Sequence, residues 1–98
     1  MKFFYMNCRH IRYFIVVADE QHFGRAAKRV GIEQSPLSRA MSALERVVGI
    51  RLLERTTRGS KLTPAGQIFL EHARSIAAAI DLAILEANTT LEQRAGSL

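Results

Sequence analysis

Apolar side chains recur at helical spacing from the beginning of the chain. Ile11, Phe14, Ile15 and Ala18 step by three and four while Arg9, Arg12, Asp19 and Glu20 fall mostly off that stripe, which predicts an amphipathic helix from about Asn7 to Glu20. Asn7 is suited to cap it. FGRAAKRV continues the period with Ala26, Ala27 and Val30 on its apolar side, and Gly31 stands where a glycine ends a helix, so a short second helix is expected. A third begins near Gln34–Pro36, with Ser35 as N-cap and Pro36 in the first helical position, and runs to Val48 before Gly49 stops it. Leu37, Ala40, Met41, Leu44, Val47 and Val48 form its apolar stripe.

The period then changes. IRLLER and SKLT are short strand-compatible runs on either side of TTRG, with Gly59 at a position tolerant of positive φ, and together they read as a hairpin. Thr63 caps a further helix with Pro64 at its first position, and no other proline, nor any glycine after Gly66, interrupts it before about Gln93. At roughly 1.5 Å per residue that helix is about 40–45 Å long, more than a domain of this size covers with its own core. Its apolar positions Phe69, Ala73, Ile76, Ile80, Ala83, Ile84, Ala87 and Leu91 step as a helix–helix seam does. They suit a dimerisation helix, which the small trihelical core favours, or a long helix folded back on its own domain. Ala77–Ala79 allow two backbones to approach closely, and Asn88, Thr89 and Thr90 have weak helix propensity, so the far end is expected to fray.

Composition narrows the function. Ninety-eight residues, 48% hydrophobic and 23% charged, hold one ordinary globular domain and leave no room for a two-lobed catalytic fold. The net charge of +5 is uneven: residues 1–61 carry +7 and residues 62–98 carry −2. A basic segment of this kind attracts polyanions, either nucleic acid or an anionic membrane surface, and charge alone does not choose between them. Cys8 is the only cysteine, which excludes a disulfide framework, and His10, His22 and His72 have no zinc-site spacing, so neither metal nor cofactor is expected. Arg9, His10 and Arg12 break the apolar opening before it reaches signal-peptide length, which predicts a cytoplasmic protein without a membrane role. Asp19 and Glu20 are adjacent, so on a helix they point roughly 100° apart, and no nucleophile–base set converges in the pattern; an enzyme is not expected.

The polar face of the third helix is more specific. Gln34, Ser35, Ser38, Arg39 and Ser42 cluster in its first turns without an acidic residue, a set suited to the edges of base pairs in a major groove. Arg can pair bidentately with guanine and Gln with adenine, Ser can bond a base or a phosphate, and a helix N-terminus favours phosphate. An ordinary solvated face is the competing reading, although such faces more often carry Glu and Lys. Arg55, Arg58 and Lys61 flank the glycine-containing turn of the hairpin. Alone they would be a solvated basic hairpin; directly after a helix-turn-helix they read as a wing presenting arginine to a minor groove.

These residues carry a family resemblance. RHIRYFIVVAD, FGRAAKRVGIEQSPLSRAMSALERVVGIRLLERTTRG and KLTPAGQIFLEHAR follow, in order and nearly without gaps, the pattern of the N-terminal DNA-binding domain of LysR-type transcriptional regulators. The resemblance implies a mainly α fold, a winged helix-turn-helix with three helices and a two-stranded β-hairpin wing, followed by a long dimerisation linker helix. By matched position it assigns Gln34 and Ser35 to the start of the recognition helix, Ser38 and Arg39 to bases and phosphates, and Arg58 to the minor groove. Ala26 and Ala27 match a tightly packed small pair, and Leu44, Leu52 and Leu53 match core and wing-packing positions. Residues 7–63 form the DNA-binding domain and 64–93 the linker helix in this reading. Residues 94–98 are similar to the hinge before an effector-binding domain that the sequence does not include, through which alone a small-molecule inducer would act. Double-stranded DNA and a second copy are the implied partners, reading an interrupted inverted repeat, with a tetramer as an option for a full-length protein. Heterodimerisation with a full-length partner is the alternative.

The sequence also departs from that pattern. His22 and Gly24 replace a capping serine and a frequent Ser or Thr, which predicts a second helix weakened by ~1 kcal/mol at its start. Glu33 puts a carboxylate where a serine is common, close to phosphate but also near the helix dipole. Cys8 replaces a leucine and is expected to be a small buried hydrophobe, a redox sensor being the alternative. Residues 1–6 are an N-terminal extension, the usual start matching Met6.

Overall fold

Asn7, in extended backbone, accepts the His10 N–H on its side-chain oxygen at 3.1 Å and so opens α1 (Cys8–Glu20). The computed structural model describes residues 7–96, with side chains as far as Thr90. The expected extension over residues 1–6, the side chain of Leu91, Ser97 and Leu98 lie outside what is described. After α1 come α2 (Phe23–Val30), α3 (Gln34–Val48), β1 (Leu53–Thr56), β2 (Gly59–Leu62) and α4 (Pro64–Gly96). The architecture is a winged helix-turn-helix followed by a long helix.

Most ends fall where local chemistry puts them. α2 and α3 stop at Gly31 and Gly49, both in left-handed backbone. Thr63 caps α4 by accepting the Gly66 N–H at 3.0 Å while its hydroxyl donates to the Arg51 carbonyl at 2.7 Å. Two expectations are corrected. The N-cap of α3 is Glu33, which makes no side-chain capping bond, so Ser35 lies inside the helix and Pro36 is its third residue. An earlier start loses nothing, because the first-turn N–H groups have no helical partner and proline is tolerated among them. The far end of α4 does not stop at Gln93 but continues to Gly96.

The core gathers around α1, which packs against α2, α3, α4 and β2. Phe14, Val17, Ala26, Leu37, Met41, Leu44 and Leu52 are its most enclosed side chains. The buried side of α1 is wider than its sequence stripe, taking in Val16 and Val17 and leaving Ile15 and Ala18 half-buried, because neighbours enclose the helix on several sides. Phe69 of α4 meets Phe14 edge to face, with centroids 5.3 Å apart, and Ala73 is 0% exposed. Both had been expected in an intermolecular seam; the proximal part of α4 places them in the domain's own core instead. Beyond Ile80, every side chain from Asp81 to Thr90 is exposed.

Two glycines bring the hairpin against the helices. Gly59 has φ +138, and a methyl group there would overlap the carbonyl oxygen of Gln21 in the α1–α2 turn. That carbonyl accepts the Ser60 N–H at 3.0 Å, fixing β2 to the turn. Gly66 likewise lies against the Leu52 carbonyl, which lets α4 leave the wing at close quarters.

Candidate nucleic-acid interface

The first half of α3 presents its polar residues outward. Gln34, Ser35, Arg39 and Ser42 are exposed and Ser38 is half-buried. The helix is held to the wing from its other end. Glu45, its only acidic residue, accepts the N–H groups of Leu52 and Leu53 on one carboxylate oxygen, at 2.8 and 3.1 Å. Hydrogen bonds to a charged acceptor are the stronger kind, and two on one oxygen set the direction in which the chain enters β1.

β1 and β2 pair antiparallel, with Leu53 opposite Leu62, Glu54 opposite Lys61, Arg55 opposite Ser60 and Thr56 opposite Gly59. Thr57 and Arg58 make the turn, which the Thr56 hydroxyl braces by donating to the Gly59 carbonyl at 3.3 Å and accepting the Arg58 N–H at 3.2 Å. Arg58 therefore stands exposed at the wing tip. Lys61 lies 3.9 Å from its cross-strand partner Glu54, an exposed pair that holds it only weakly. Arg55 points back to the body. Its guanidinium lies 4.2 Å from the centroid of the Phe23 ring, and its Nη2 donates to the Ser38 hydroxyl.

Between the start of α2 and the wing is an open cleft of about 270 Å³, with Gln34, Arg55, Thr56 and Arg58 on its walls. His22 lines it too, and its Nδ1 accepts the Arg25 N–H at 3.1 Å. The expected weak cap on α2 is thereby corrected, since a neutral imidazole offers the same kind of acceptor as serine. Gly24 is part of this substitution: a β-carbon there would press on the His22 ring. No carboxylate lines the cleft. Asp19 and Glu20 are occupied elsewhere, pairing with Arg25, Arg29 and Arg74 at 3.1–3.6 Å.

Sequence reasoning did not find Phe23, Glu45 or Thr56. Glu45 had one visible signal, a lone carboxylate in a helix whose other charges are Arg39 and Arg46. Phe23 and Thr56 had none, because their partners are set by tertiary packing and by the turn. Cys8 is exposed, which corrects its expected burial. It begins α1, ahead of the enclosed turns, and lines an apolar groove of about 420 Å³ between α1 and α4 with Ile11, Ile15, Ala77 and Ile80. In the expected dimerisation set, Ile76, Ala83, Ile84 and Ala87 are exposed and Ile80 is half-buried on that groove. Leu82 and Leu85 are exposed beside them and were not anticipated.

Among the described residues there is no group of three His, Cys, Asp or Glu placed to hold a metal, and no helix long and apolar enough to cross a membrane.

Residues 8–67 match the family described as bacterial regulatory helix-turn-helix protein, lysR family. The chain is 49% identical over 93 residues to the uncharacterized HTH-type transcriptional regulator YnfL of Escherichia coli (strain K12), covering 95% of this chain and 31% of that protein. It is 54% identical over 69 residues to the HTH-type transcriptional regulator AlsR of Bacillus subtilis (strain 168), covering 70% of this chain and 23% of that protein. The chain thus spans less than a third of the length of either relative. Among solved structures it is similar to a CbnR_DBD-DNA complex, with TM-score 0.83 and 41% identity over 87% of this chain and 98% of that one. It is also similar to a BenM_DBD/catB site 1 DNA complex, with TM-score 0.82 and 41% identity over 85% of this chain and 93% of that one.

Proposed function

The chain belongs to the LysR family of bacterial regulatory helix-turn-helix proteins, and from that premise we propose that it reads double-stranded DNA by sequence, as the DNA-binding part of a cytoplasmic transcriptional regulator. α3 enters a major groove, where Gln34, Ser35, Ser38, Arg39 and Ser42 meet base edges and phosphates. The wing lies over the adjacent minor groove with Arg58 inserted and Lys61 near the backbone. The observation that carries this reading is that Gln34 at the start of α3 and Arg58 at the wing tip border one carboxylate-free cleft, so helix and wing offer phosphate a single continuous face. The DNA bound in the two similar structures named above supports it.

Residues 7–63 are the reader, 64–93 the linker, 94–98 the approach to a hinge, and 1–6 an extension ahead of them. The far half of α4, with the exposed Ile76, Ala83, Ile84 and Ala87 and the half-buried Ile80, is the homodimer seam, and two copies place one α3 in each half of an interrupted inverted repeat. Small-molecule control, and any tetramer, would belong to a domain beyond these residues. Selection from a randomised duplex pool followed by mobility shift tests the reading. Two inverted half-sites are expected, with Ser38→Ala and Arg39→Ala each losing about 1–3 kcal/mol at particular base pairs. Equal binding to every duplex would overturn sequence reading. No DNA binding at all, with self-association intact, would favour heterodimerisation through α4 as the activity.

A further inference from the structure

We infer that Arg55 is a positioning residue for base reading, acting through Ser38 rather than on phosphate. The inference rests on the DNA-binding reading and assigns to one wing arginine a different task from that of Arg58.

Arg55 and Arg58 are neighbours on one hairpin, yet their side chains are placed differently. Both are exposed, but Arg58 stands on the turn, whereas the Arg55 guanidinium stacks on Phe23 and bonds Ser38. Phe23 is only 6% exposed, so its ring is a fixed platform, and a guanidinium over an aromatic face is attracted by the ring quadrupole while its planar edge stays free to donate. Phe23 and Arg55 are common to two clefts, one reaching Gln34 and Arg58, the other Ser42 and Glu45. Arg55 therefore stands as the partition between the start of α3, its second turn and the wing. Swinging the guanidinium out along the DNA backbone, as an unattached wing arginine can, would break its contacts with both Phe23 and Ser38.

The consequence lies in the Ser38 hydroxyl. A serine hydroxyl has one proton and two acceptor lone pairs, and in a helix it commonly turns inward to donate to the carbonyl four residues back. A guanidinium can only donate. By occupying one of the two lone pairs of Ser38 Oγ, Arg55 holds the oxygen toward the wing and halves its capacity to accept, which biases the hydroxyl toward donating its proton to DNA. Ser38 then selects an acceptor on the base edge, such as N7 or O6 of guanine, N7 of adenine or O4 of thymine, over the amino groups of cytosine and adenine.

The test uses a duplex enriched by the parent chain from a randomised pool. Failure to enrich any duplex would overturn the DNA-binding reading itself; the remaining outcomes bear on Arg55. In Arg55→Met, discrimination at the base pair facing Ser38 is expected to fall about five- to tenfold, and adding Ser38→Ala should reduce it no further. The slope of log affinity against log salt should stay as in the parent, because no phosphate contact is lost. A slope shallower by about one unit with equal weakening on all duplexes, or losses that simply add, would overturn the inference. A measurement on the parent covers the case in which Arg55→Met does not fold. The ¹⁵N-labelled Arg55 side-chain signals, displaced by the Phe23 ring in the free protein, should keep that displacement with saturating duplex. Its loss on binding would mean that Arg55 moves to the DNA, and the inference would fail.

Discussion

The near and far halves of α4 carry the same apolar period and meet opposite fates. From Pro64 to Ala73 the helix leans on Leu52 through Gly66 and on Phe14 through Phe69, and its Ala73 is enclosed. From Asp81 to Thr90 every side chain is exposed, Leu82, Ile84 and Leu85 among them. The difference is one of reach. α1, which covers the near half, has 13 residues and extends about 20 Å, whereas α4 has 33 and extends about 50 Å. A helical period announces that a face needs covering, and the length of the neighbouring elements decides whether the same chain can do it.

The largest effect should come from the near half. Phe69→Ala is expected to lower the free energy of unfolding by about 3 kcal/mol, measured by urea denaturation. An unchanged midpoint would erase the contrast. In the far half, Ile84→Glu should weaken self-association about 30-fold, or roughly 2 kcal/mol, in sedimentation equilibrium, while the dilute protein unfolds at the parental temperature. Ile84 is 57% exposed, so the domain itself has little to lose there, and loss of folding in this variant would place the far half inside the core's cooperative unit. Arg74 sits at the junction, 3.1 Å from Asp19. Because that pair is exposed, Arg74→Ala should cost less than about 1 kcal/mol and less still at high salt; a larger, salt-independent loss would mean that the junction is held by more than screened charge. Thr89, whose hydroxyl donates to the Leu85 carbonyl at 2.8 Å, is governed by propensity alone. Thr89→Ala should therefore gain about 0.5 kcal/mol of helix stability, visible as a small rise in far-ultraviolet ellipticity, and a decrease would point to a contact of Thr89 outside its own helix.

Element ends were legible wherever capping is local chemistry. Asn7, Gly31, Gly49 and the Thr63–Pro64 pair each do what their residue type does within a turn of its own position. Ser35 was misread for the same reason, since two adjacent starts were chemically acceptable and Glu33 won without a capping bond. His22 is visible as a departure, but residue type alone does not show that its ring nitrogen turns to accept the Arg25 N–H. The polar face of α3 was legible because it needs no partner. The links from Glu45 to Leu52 and Leu53, and from Arg55 to Phe23 and Ser38, were not, because residues distant in sequence come together only when the wing folds onto the helices. Sequence spacing likewise gave Phe69 and Ile84 the same standing, and only the packing of α1 tells them apart.

The edge-to-face contact of Phe14 with Phe69 also bears on how the chain is made. It spans the same 55-residue interval as the Asp19–Arg74 pair. During synthesis α1 leaves the ribosome first, and the side of its Phe14 ring that meets Phe69 stays uncovered until the early turns of α4 have followed. The helix-turn-helix and wing are thus translated before Phe69 and Ala73 reach them, and the segment that completes their interior is the same one that continues into the exposed far half of α4.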